Sequence, residues 1–340
     1  MLNVGILGAS GFTGVELLRL CAAHPHFNVT YATGDTQAGT LARSLYPSLS
    51  ANYPNLVFEE FSLEKALQCD VLFLALPHEA SLELVPQLYS KVKLVVDLSA
   101  AYRLKNASLY PKWYGFEHTH PDLIEHAVYG LPEINREQLH SARLIATPGC
   151  YVTAASLALS PLVAAAVIQA EGVIVDAASG VSGAGRAAKN SNSFNTVNED
   201  FVAYGLLDHR HTPEIEQVTG AQILFTPHLA PMNRGIFATC YARPAKETSP
   251  TSASLVAVLA RDYAKEDFVV VGQQIPSTKA TFGTNVTQLT ARFDERTGYV
   301  VVLAALDNLA KGASGGAVQA ANAALGLPED SGLSKVGIFP

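Results

Sequence analysis

The sequence has little of several features that mark other classes of protein. Charged residues make up 16% of the 340 residues, and no cluster of lysine and arginine accompanies the net charge of −7. Without a basic cluster nothing favours counterion release from a nucleic acid, so we expect no nucleic-acid partner. The apolar stretch at residues 157–168 contains Ser160 and Pro161 and is shorter than the ~20 residues that span a membrane, so we expect no membrane partner.

Cysteine is also scarce. Cys21, Cys69, Cys150 and Cys240 are far apart and form no CxxC pair, which argues against a disulfide framework and against a metal site. The N-terminus has none of the charged, apolar and cleavage regions of a signal peptide. We therefore expect a cytoplasmic protein without a metal, in which at most one cysteine is chemically active.

What the chain does have is apolar content, at 49% of residues, and a length that favours two domains. The first half alternates short β-rich runs with helical patterns. This alternation predicts a parallel sheet with helices on both faces, a Rossmann-type α/β domain. The predicted strands are residues 4–7, 28–33, 70–76, 94–98 and 143–146.

The second half has a different pattern of predicted helices and strands. A helix is predicted from residue 150 to about 168, followed by longer β-like runs with few helices, which predicts an α+β domain with a mostly antiparallel or mixed sheet. The predicted strands are residues 172–177, 223–227, 235–242, 287–293 and 299–306. An Ala-rich helical pattern at 309–325 is expected to return and pack on the first domain.

A glycine-rich turn follows the first predicted strand. Gly8, Gly11 and Gly14 have GxxGxxG spacing and open a predicted helix. Glycines in this position let backbone amides approach a pyrophosphate, and the helix N-terminus supplies positive potential. The pattern favours a dinucleotide site, although a tight β-to-α turn that binds no ligand can have the same sequence pattern.

The choice between NAD and NADP stays open from the residues alone. Asp35 lies near the end of the second strand, where an acidic residue usually binds the ribose hydroxyls of NAD. Thr33, Thr36 and Arg43 indicate the opposite, because hydroxyls and a guanidinium suit a 2′-phosphate. We expect NADP(H), and the relative catalytic efficiency with the two cofactors tests this.

Cys150 stands after a predicted strand and a Pro-Gly turn, at the first turn of a predicted helix. A thiol there lies near the positive end of the helix dipole, and the thiolate is the form that attacks a carbonyl carbon. A free cysteine with a pKa of about 8.5 is only slightly ionised at neutral pH, so a nucleophile needs a partner imidazole. The alternative is that Cys150 is simply buried. Cys21, Cys69 and Cys240 are interpreted as packing residues.

His209 and His211 are the best of ten histidines for that partner, because Glu214 follows three residues after His211 and can orient an imidazole. We choose His211 as the acid/base and keep His209 as the alternative. A His-x-His pair is often a surface or metal pair instead. Metal is disfavoured because no further Cys/His cluster accompanies it.

These residues resemble a known family. Residues 145–161, with Pro148-Gly149-Cys150-Tyr151 at their centre, resemble the active-site signature of N-acetyl-γ-glutamyl-phosphate reductases. Further similar blocks follow the family order over nearly the whole chain: 8–14, 76–78, 97–103, 209–214, 231–235 and 307–313. Aspartate-semialdehyde dehydrogenases share the two-domain plan, the thiol and the Lys-Gly-Ala start of the last helix. They lack the Pro-Gly-Cys-Tyr and His-x-His-x-Pro-Glu motifs.

The resemblance implies an NADP-binding Rossmann domain at residues 1–148 and 309–340 and a catalytic and oligomerisation domain at 149–308, in a homodimer or homotetramer. It implies NADPH-dependent reduction of N-acetyl-L-glutamyl 5-phosphate to N-acetyl-L-glutamate 5-semialdehyde and phosphate, through a thioester on Cys150, in arginine biosynthesis. The alternatives are aspartate-semialdehyde dehydrogenase and the acetylaminoadipate counterpart of lysine biosynthesis. A non-enzymatic nucleotide sensor is disfavoured by the intact Cys150, His211 and Glu214.

Further site residues follow from the same resemblance. Arg103, Ser182 and Arg234 are expected to bind the substrate, with Arg103 on its phosphate, although Arg103 can equally form a surface salt bridge. The expected cofactor-binding residues lie at the ends of strands and at the start of the last helix: Gly8, Ser10, Gly11, Phe12, Thr13, Gly14, Thr33, Leu76, Pro77, Ser99, Gly180, Ser182, Gly183, Asn308 and Lys311.

Overall fold

A computed structural model describes residues 1–339 of the chain. The chain forms two compact units. The first consists of Met1–Pro148 and Ala313–Leu333, and the second consists of Gly149–Gly312 together with residues 334–339.

The first unit contains a six-stranded sheet in which every neighbouring pair is parallel. Its strands are β1 (Leu2–Leu7), β2 (Phe27–Ala32), β3 (Val71–Leu74), β4 (Leu94–Asp97), β5 (Ala127–Tyr129) and β6 (Leu144–Ala146), in the order β2-β1-β3-β4-β6-β5. All residues of β3 and β4 are buried, as expected of central parallel strands covered on both faces. The predicted Rossmann-type sheet is confirmed.

Helices of the first unit lie between these strands and at its C-terminal end. They are α1 (Phe12–Ala22), α2 (Ala42–Leu45), α3 (Leu63–Ala66), α4 (His78–Leu88), α5 (Tyr110–Tyr114), α6 (Pro121–His126), α7 (Pro132–Leu139) and the last helix, α12 (Gly315–Leu325). The Ala-rich α12 packs against α1 and α7. Its Asn322 amide oxygen is 2.9 Å from Nε2 of the buried His24, which follows α1. Alanines let the helices approach closely, so the end of the chain completes the core of this unit.

The second unit contains a seven-stranded mixed sheet. Its strands are β7 (Val173–Gly180), β8 (Val202–Ala203), β9 (Ile223–Ala230), β10 (Ile236–Ala242), β11 (Val269–Val271), β12 (Thr287–Asp294) and β13 (Tyr299–Leu306), in the order β11-β12-β13-β10-β7-β9-β8. The pairs β7–β9 and β11–β12 are parallel and the other pairs are antiparallel. The predicted α+β unit with a mixed sheet is confirmed.

One buried helix organises this sheet. The unit's helices are α8 (Cys150–Ala164), α9 (Phe194–Val197), α10 (Thr212–Thr219) and α11 (Ser252–Asp262). The apolar α8 packs on β10 and β13 and is flanked by α10 and α11. Burial alternates along β7 and β10, because one face of the sheet lies under α8. The nucleophile candidate Cys150 is therefore the first residue of the most buried helix of the unit.

Candidate active site

Cys150 begins α8 directly after Gly149, which has extended backbone angles of φ −70° and ψ 149°. Its side chain is partly exposed, whereas Cys21, Cys69 and Cys240 are buried. Burial raises the pKa of Cys21 and of Cys240 to about 12. Among the four thiols, solvent access and a helix N-terminus coincide at Cys150 alone in the part of the chain that the structure describes.

The imidazole of His211 lies against the backbone of Gly149. A Cβ atom added to Gly149 would be 2.3 Å from Nε2 of His211, so no other residue fits there without moving the ring. His211 is 7% exposed and immediately precedes α10. The fold thus brings an imidazole nitrogen beside the residue that precedes Cys150.

Glu214, in the first turn of α10, is fully buried. Its Oε1 accepts a hydrogen bond of 3.0 Å from the backbone N–H of Gly149. The sequence hypothesis gave Glu214 the task of orienting His211. The structure shows that this carboxylate accepts a bond from the turn that precedes the candidate nucleophile Cys150.

His209 lies in a cluster of aromatic rings. Its centroid is 4.7 Å from that of His211, 5.2 Å from Phe225, 5.5 Å from Tyr204 and 5.8 Å from Tyr151. Burial, together with the neighbouring arginine charge, lowers the pKa of His209 to about 4. Its Nδ1 accepts the backbone N–H of His211 at 3.1 Å. This ring is therefore neutral at pH 7 and fixes the backbone from which His211 projects.

Two tyrosines form a hydrogen-bonded chain beside these rings. The Tyr204 hydroxyl donates to the Tyr151 hydroxyl at 3.1 Å, and Tyr151 donates to the carbonyl of His228 at 2.9 Å. Burial raises the pKa of Tyr151, and it raises the pKa of Tyr204 to about 12. Both hydroxyls thus stay protonated and act as donors.

A cavity of about 400 Å³ opens within the second unit. Cys150, His211, His209, Tyr151 and Tyr204 are among the residues that line it. Its other lining residues come from the end of β7 and the glycine-rich run after it, from residues near the start of α9, from β8 and β9, and from the segment before α10: Ser179, Gly183, Ala184, Lys189, Ser191, Val202, Leu229 and Arg210. A volume of this size is typical of a small-molecule site.

Asn308 ties the predicted cofactor loop to the end of β13. Its amide donates to Oγ of Ser182 at 3.0 Å and its Oδ1 accepts from the N–H of Gly235 at 2.7 Å. A Cβ on Gly180 would meet the carbonyl of Asn233 at 2.7 Å. The start of the loop, at Gly180 and Ser182, is therefore held by these contacts, and Asn308 makes one of them.

The segment after Asn308 contacts the candidate nucleophile, Cys150. A Cβ on Gly312 would be 2.8 Å from Cβ of Cys150. Lys311, its neighbour, is 2% exposed, and its Nζ lies 5.8 Å from the ring centre of Phe268. Glycine at 312 is thus required for the close approach to Cys150, while the Lys311 side chain is enclosed in the second unit.

The two predicted substrate arginines have partners within their own units. Nε and Nη2 of Arg234 donate to Oδ1 of the fully buried Asp307, at 3.0 and 2.9 Å. Nη2 of Arg103, in the first unit, donates to the carbonyl of Leu98 at 3.0 Å. Both guanidinium groups are therefore oriented by these contacts.

The glycine turn of the first unit fits a bound dinucleotide. Gly8 has a φ of +84°, and a Cβ there would be 2.3 Å from the carbonyl oxygen of Ala75. A Cβ on Gly14 would be 2.3 Å from the carbonyl oxygen of Gly8. Gly11 is the N-cap residue of α1, and the nearest atom to a Cβ added there is 3.5 Å away. Two glycines thus make the turn tight, and the third leaves the helix N-terminus open to a ligand.

Side chains around this turn support its shape. Oγ1 of the buried Thr33 accepts the N–H of Gly8 at 3.0 Å, and Oγ of Ser10 donates to the carbonyl of Gly34 at 3.0 Å. Phe12 and Thr13 form the first turn of α1.

The other predicted cofactor residues of the first unit lie at neighbouring strand ends. Leu76 and Pro77 precede α4, and the buried Ser99 bonds to Asp97 with N–H and hydroxyl, at 2.9 and 2.8 Å. Asp35 is exposed, with a φ of +49°. Thr36 and Arg43 are also exposed. These three side chains, which bear on the choice between NAD and NADP, are therefore accessible to a ligand.

Over residues 1–339 no three histidine, cysteine or acidic side chains are grouped as a metal site would require. In the same part of the chain, no helix combines the length and apolar character needed to cross a bilayer.

Comparison with known proteins defines the class. Residues 3–142 match the family model of the semialdehyde dehydrogenase NAD binding domain, and residues 150–308 match that of the semialdehyde dehydrogenase dimerisation domain. Aspartate semialdehyde dehydrogenase II complexed with ASA from Vibrio cholerae superposes with a TM-score of 0.71 at 16% identity, over 96% of this chain and 98% of that one. The enzyme with NADP from Candida albicans gives 0.70 at 17% identity, over 95% and 98%. The chain is thus an oxidoreductase with the semialdehyde dehydrogenase fold.

Sequence relatives define the family within that class. The N-acetyl-gamma-glutamyl-phosphate reductase of Geotalea daltonii is 47% identical over 350 residues, and that of Geobacter sulfurreducens is 46% identical over 349, with all of this chain and all of each relative covered. The enzyme of that name from Symbiobacterium thermophilum is 44% identical, over 100% of this chain and 99% of the relative. The chain belongs to the N-acetyl-gamma-glutamyl-phosphate reductase family.

Several lining residues were absent from the sequence hypothesis, among them Lys189, Tyr204 and Arg210. Tyr204 and Lys189 lie in segments without a recognisable pattern, so no signal in the sequence points to them. Arg210 lies between His209 and His211 in the sequence, and this position could have identified it as a site residue. The contact of Gly312 with Cys150 joins distant parts of the chain and has no local signature.

Proposed function

We propose that this chain catalyses NADPH-dependent reduction of N-acetyl-L-glutamyl 5-phosphate to N-acetyl-L-glutamate 5-semialdehyde and phosphate, a step of arginine biosynthesis. The observation that carries the proposal is the placement of the His211 imidazole against Gly149, the residue before a partly exposed Cys150 at a helix N-terminus. Relatives that bear the name of this activity, with 44–47% identity over the full chain, support the choice of substrate.

In the first step the Cys150 sulfur attacks the carbonyl carbon of the acyl phosphate. A C–S bond forms, the C–O bond to phosphate breaks, and phosphate leaves with the bonding electron pair, which gives a thioester on Cys150. The N-terminus of α8 lies at this sulfur, and its positive potential favours a negative sulfur over a neutral one. No oxidation or reduction accompanies this step.

When bound, NADPH would supply the hydride that reduces the thioester to the level of a thiohemiacetal. Residues of the first unit that would hold it are Gly8, Ser10, Gly11, Phe12, Thr13, Gly14, Thr33, Leu76, Pro77 and Ser99. In the second unit we assign Gly180, Ser182, Gly183, Asn308 and Lys311 to the same task. The tight turn and the open helix end at Gly11 support the assignment of the first-unit residues.

His211 is the proposed acid/base. Its Nε2 protonates the oxygen of the thiohemiacetal, and it takes the proton back when the C–S bond breaks and the aldehyde leaves. His209 is the weaker candidate, because its pKa of about 4 keeps the ring neutral and its Nδ1 already accepts a backbone N–H. Glu214 positions the nucleophile turn, and Arg103, Ser182 and Arg234 are the proposed substrate contacts.

We further propose that the enzyme works in the cytoplasm as a homodimer or homotetramer, assembled through the part that matches the dimerisation domain model. In this proposal residues 1–148 and 309–340 form the cofactor-binding domain, and residues 149–308 form the catalytic and oligomerisation domain.

The reverse reaction tests the function. Purified enzyme should oxidise N-acetylglutamate semialdehyde only when both phosphate and NADP are present, and should do so at least ten times more efficiently than aspartate semialdehyde. Aspartate semialdehyde is the comparison because structures with this fold carry that enzyme's name. Preference for aspartate semialdehyde would overturn the proposed substrate, and Cys150→Ser with near-normal turnover would overturn the mechanism.

A further inference from the structure

The cavity beside Cys150 contains two cations that the chemistry of the sulfur and imidazole does not use. Lys189 and Arg210 both line it, and none of its lining residues within 1–339 is aspartate or glutamate. The chain as a whole carries 30 acidic and 23 basic residues. A cavity with positive charge alone is therefore opposite in sign to the average of the molecule.

The other polar side chains of the cavity are the hydroxyls of Tyr151, Tyr204, Ser179 and Ser191 and the imidazoles of His209 and His211. The Tyr204 hydroxyl stays protonated because burial raises its pKa to about 12. The charge of Arg210 acts on its neighbours, since it is a cause of the lowered pKa of His209 and counteracts the rise at Tyr204. The cavity wall thus combines donors with a positive potential, which is the chemistry that binds an oxyanion.

The arginines expected to bind the substrate, Arg103 and Arg234, are not among the residues that line this cavity. Arg234 makes a two-nitrogen contact with buried Asp307, and Arg103 donates to the carbonyl of Leu98. Lys189 and Arg210 are exposed residues on the cavity that also contains the nucleophile. They are the cations of the second unit that share a cavity with Cys150.

We infer that Lys189 and Arg210 bind an oxyanion of the substrate while Cys150 reacts. This pair contributes to the selection of an acyl phosphate that also carries a carboxylate. The inference rests on the proposed function for the identity of the substrate. Two oxyanions have the required chemistry, namely the phosphoryl group that leaves and the α-carboxylate that stays. The positive charge acts on either one before the thioester forms.

The first test uses the resting enzyme and needs no substrate. Cys150 is alkylated with iodoacetate, which is anionic, and with iodoacetamide, which is neutral, and the ratio of the two rate constants is measured. The ratio cancels any change in the reactivity of the sulfur itself. We expect Lys189→Gln and Arg210→Gln each to lower it about five-fold at low salt, because each removes one attracting charge. Lys246→Gln removes an exposed lysine from the same unit and should leave the ratio unchanged.

The second test separates the two oxyanions. In the reverse reaction the KM for inorganic phosphate and the KM for N-acetylglutamate semialdehyde are measured for the same variants. A rise of about ten-fold in the KM for phosphate alone assigns the pair to the phosphoryl group, and a rise for the aldehyde alone assigns it to the carboxylate. Arg210→Lys should recover part of the loss. If kcat falls while both KM values and the alkylation ratio stay at their wild-type values, the inference is wrong.

The alkylation ratio is independent of the substrate proposal. Should the wild-type enzyme prefer aspartate semialdehyde, the proposed function fails, while the alkylation ratio still reports whether Lys189 and Arg210 attract an anion to Cys150. Should the wild-type enzyme prefer N-acetylglutamate semialdehyde and the ratio be insensitive to both substitutions, the function stands and the inference fails.

Discussion

The backbone N–H of Gly149 donates a hydrogen bond of 3.0 Å to Oε1 of Glu214, and both residues stand at the start of a helix. This bond joins the turn before α8 to the first turn of α10. Since Cys150 follows Gly149 and His211 precedes α10, one carboxylate fixes the separation between the proposed nucleophile and the proposed acid/base.

Replacing Glu214 tests that relationship. Glu214→Ala removes the acceptor and leaves the buried N–H of Gly149 unsatisfied, so we expect the free energy of unfolding to fall by about 1–3 kcal/mol and kcat to fall with it. Glu214→Gln keeps an oxygen acceptor and should retain most of the stability. Urea unfolding and steady-state kinetics measure the two effects. Equal stability of the alanine and glutamine variants would contradict a role for this bond.

Gly149→Ala tests the contact between the backbone and the imidazole. The new Cβ would be 2.3 Å from Nε2 of His211 and must push the ring away. We expect kcat/KM to fall about 100-fold, in the range of a lost acid/base. Gly272→Ala, where an added Cβ meets no atom within 4 Å, is the matched control. Comparable activity of the two variants would show that the ring position does not matter.

Thiol labelling tests the assignment of Cys150. Cys21, Cys69 and Cys240 are buried and burial raises the pKa of each, to about 12 for Cys21 and Cys240. We therefore expect one fast-reacting thiol in the folded enzyme at pH 8 and four after denaturation. Mass spectrometry of the alkylated peptides identifies the site. Fast labelling that persists in Cys150→Ser would refute the assignment.

The pKa of His209 predicts a pH effect on stability. Burial lowers it from 6.5 to about 4 in the folded chain. Between these two values the unfolded chain binds more protons at this residue, so the free energy of unfolding decreases as the pH falls through that window. His209→Asn lacks this contribution. Chemical unfolding at several pH values should show a steeper loss for the wild type than for the variant between pH 6.5 and 4.

Gly11→Ala tests the dinucleotide turn. Its added Cβ lies 3.5 Å from the nearest atom, so folding should be unaffected, whereas the methyl group occupies the open end of α1. We expect NADPH affinity to fall about ten-fold or more, measured by fluorescence titration. Gly14→Ala, with contacts of 2.3 and 2.5 Å to backbone atoms, should instead lower the thermal stability. Unchanged NADPH affinity of Gly11→Ala would place the cofactor elsewhere.

Much of the fold is readable in the sequence, because its signals are local. Every strand predicted in either half overlaps an observed strand. The short strands β5, β8 and β11 were missed, because two or three residues carry no periodicity. The helix predicted to about residue 168 ends at Ala164, where Ala166 adopts a φ of +50°. The start of the last helical pattern, Ala310–Ser314, forms a π-helix that the spacing of apolar residues does not reveal.

The candidate site is less predictable, because its contacts are made at long range. Cys150, His211 and Glu214 were recognisable as residue types in a suggestive order. The bond from Gly149 to Glu214 and the pairing of Arg234 with Asp307 depend on how strands and helices meet, which a single sequence does not encode locally. The cations Lys189 and Arg210 become a pair only through the cavity.

The contact of Gly312 with Cβ of Cys150 has a consequence for biosynthesis of the enzyme. The wall behind the sulfur comes from a segment that leaves the ribosome long after the sulfur itself. A nascent chain that ends before β13 thus carries a thiol whose surroundings are incomplete, exposed to oxidants and to wrong partners. The time taken to translate residues 150–312, about half of the chain, therefore contributes to how long that thiol stays unprotected.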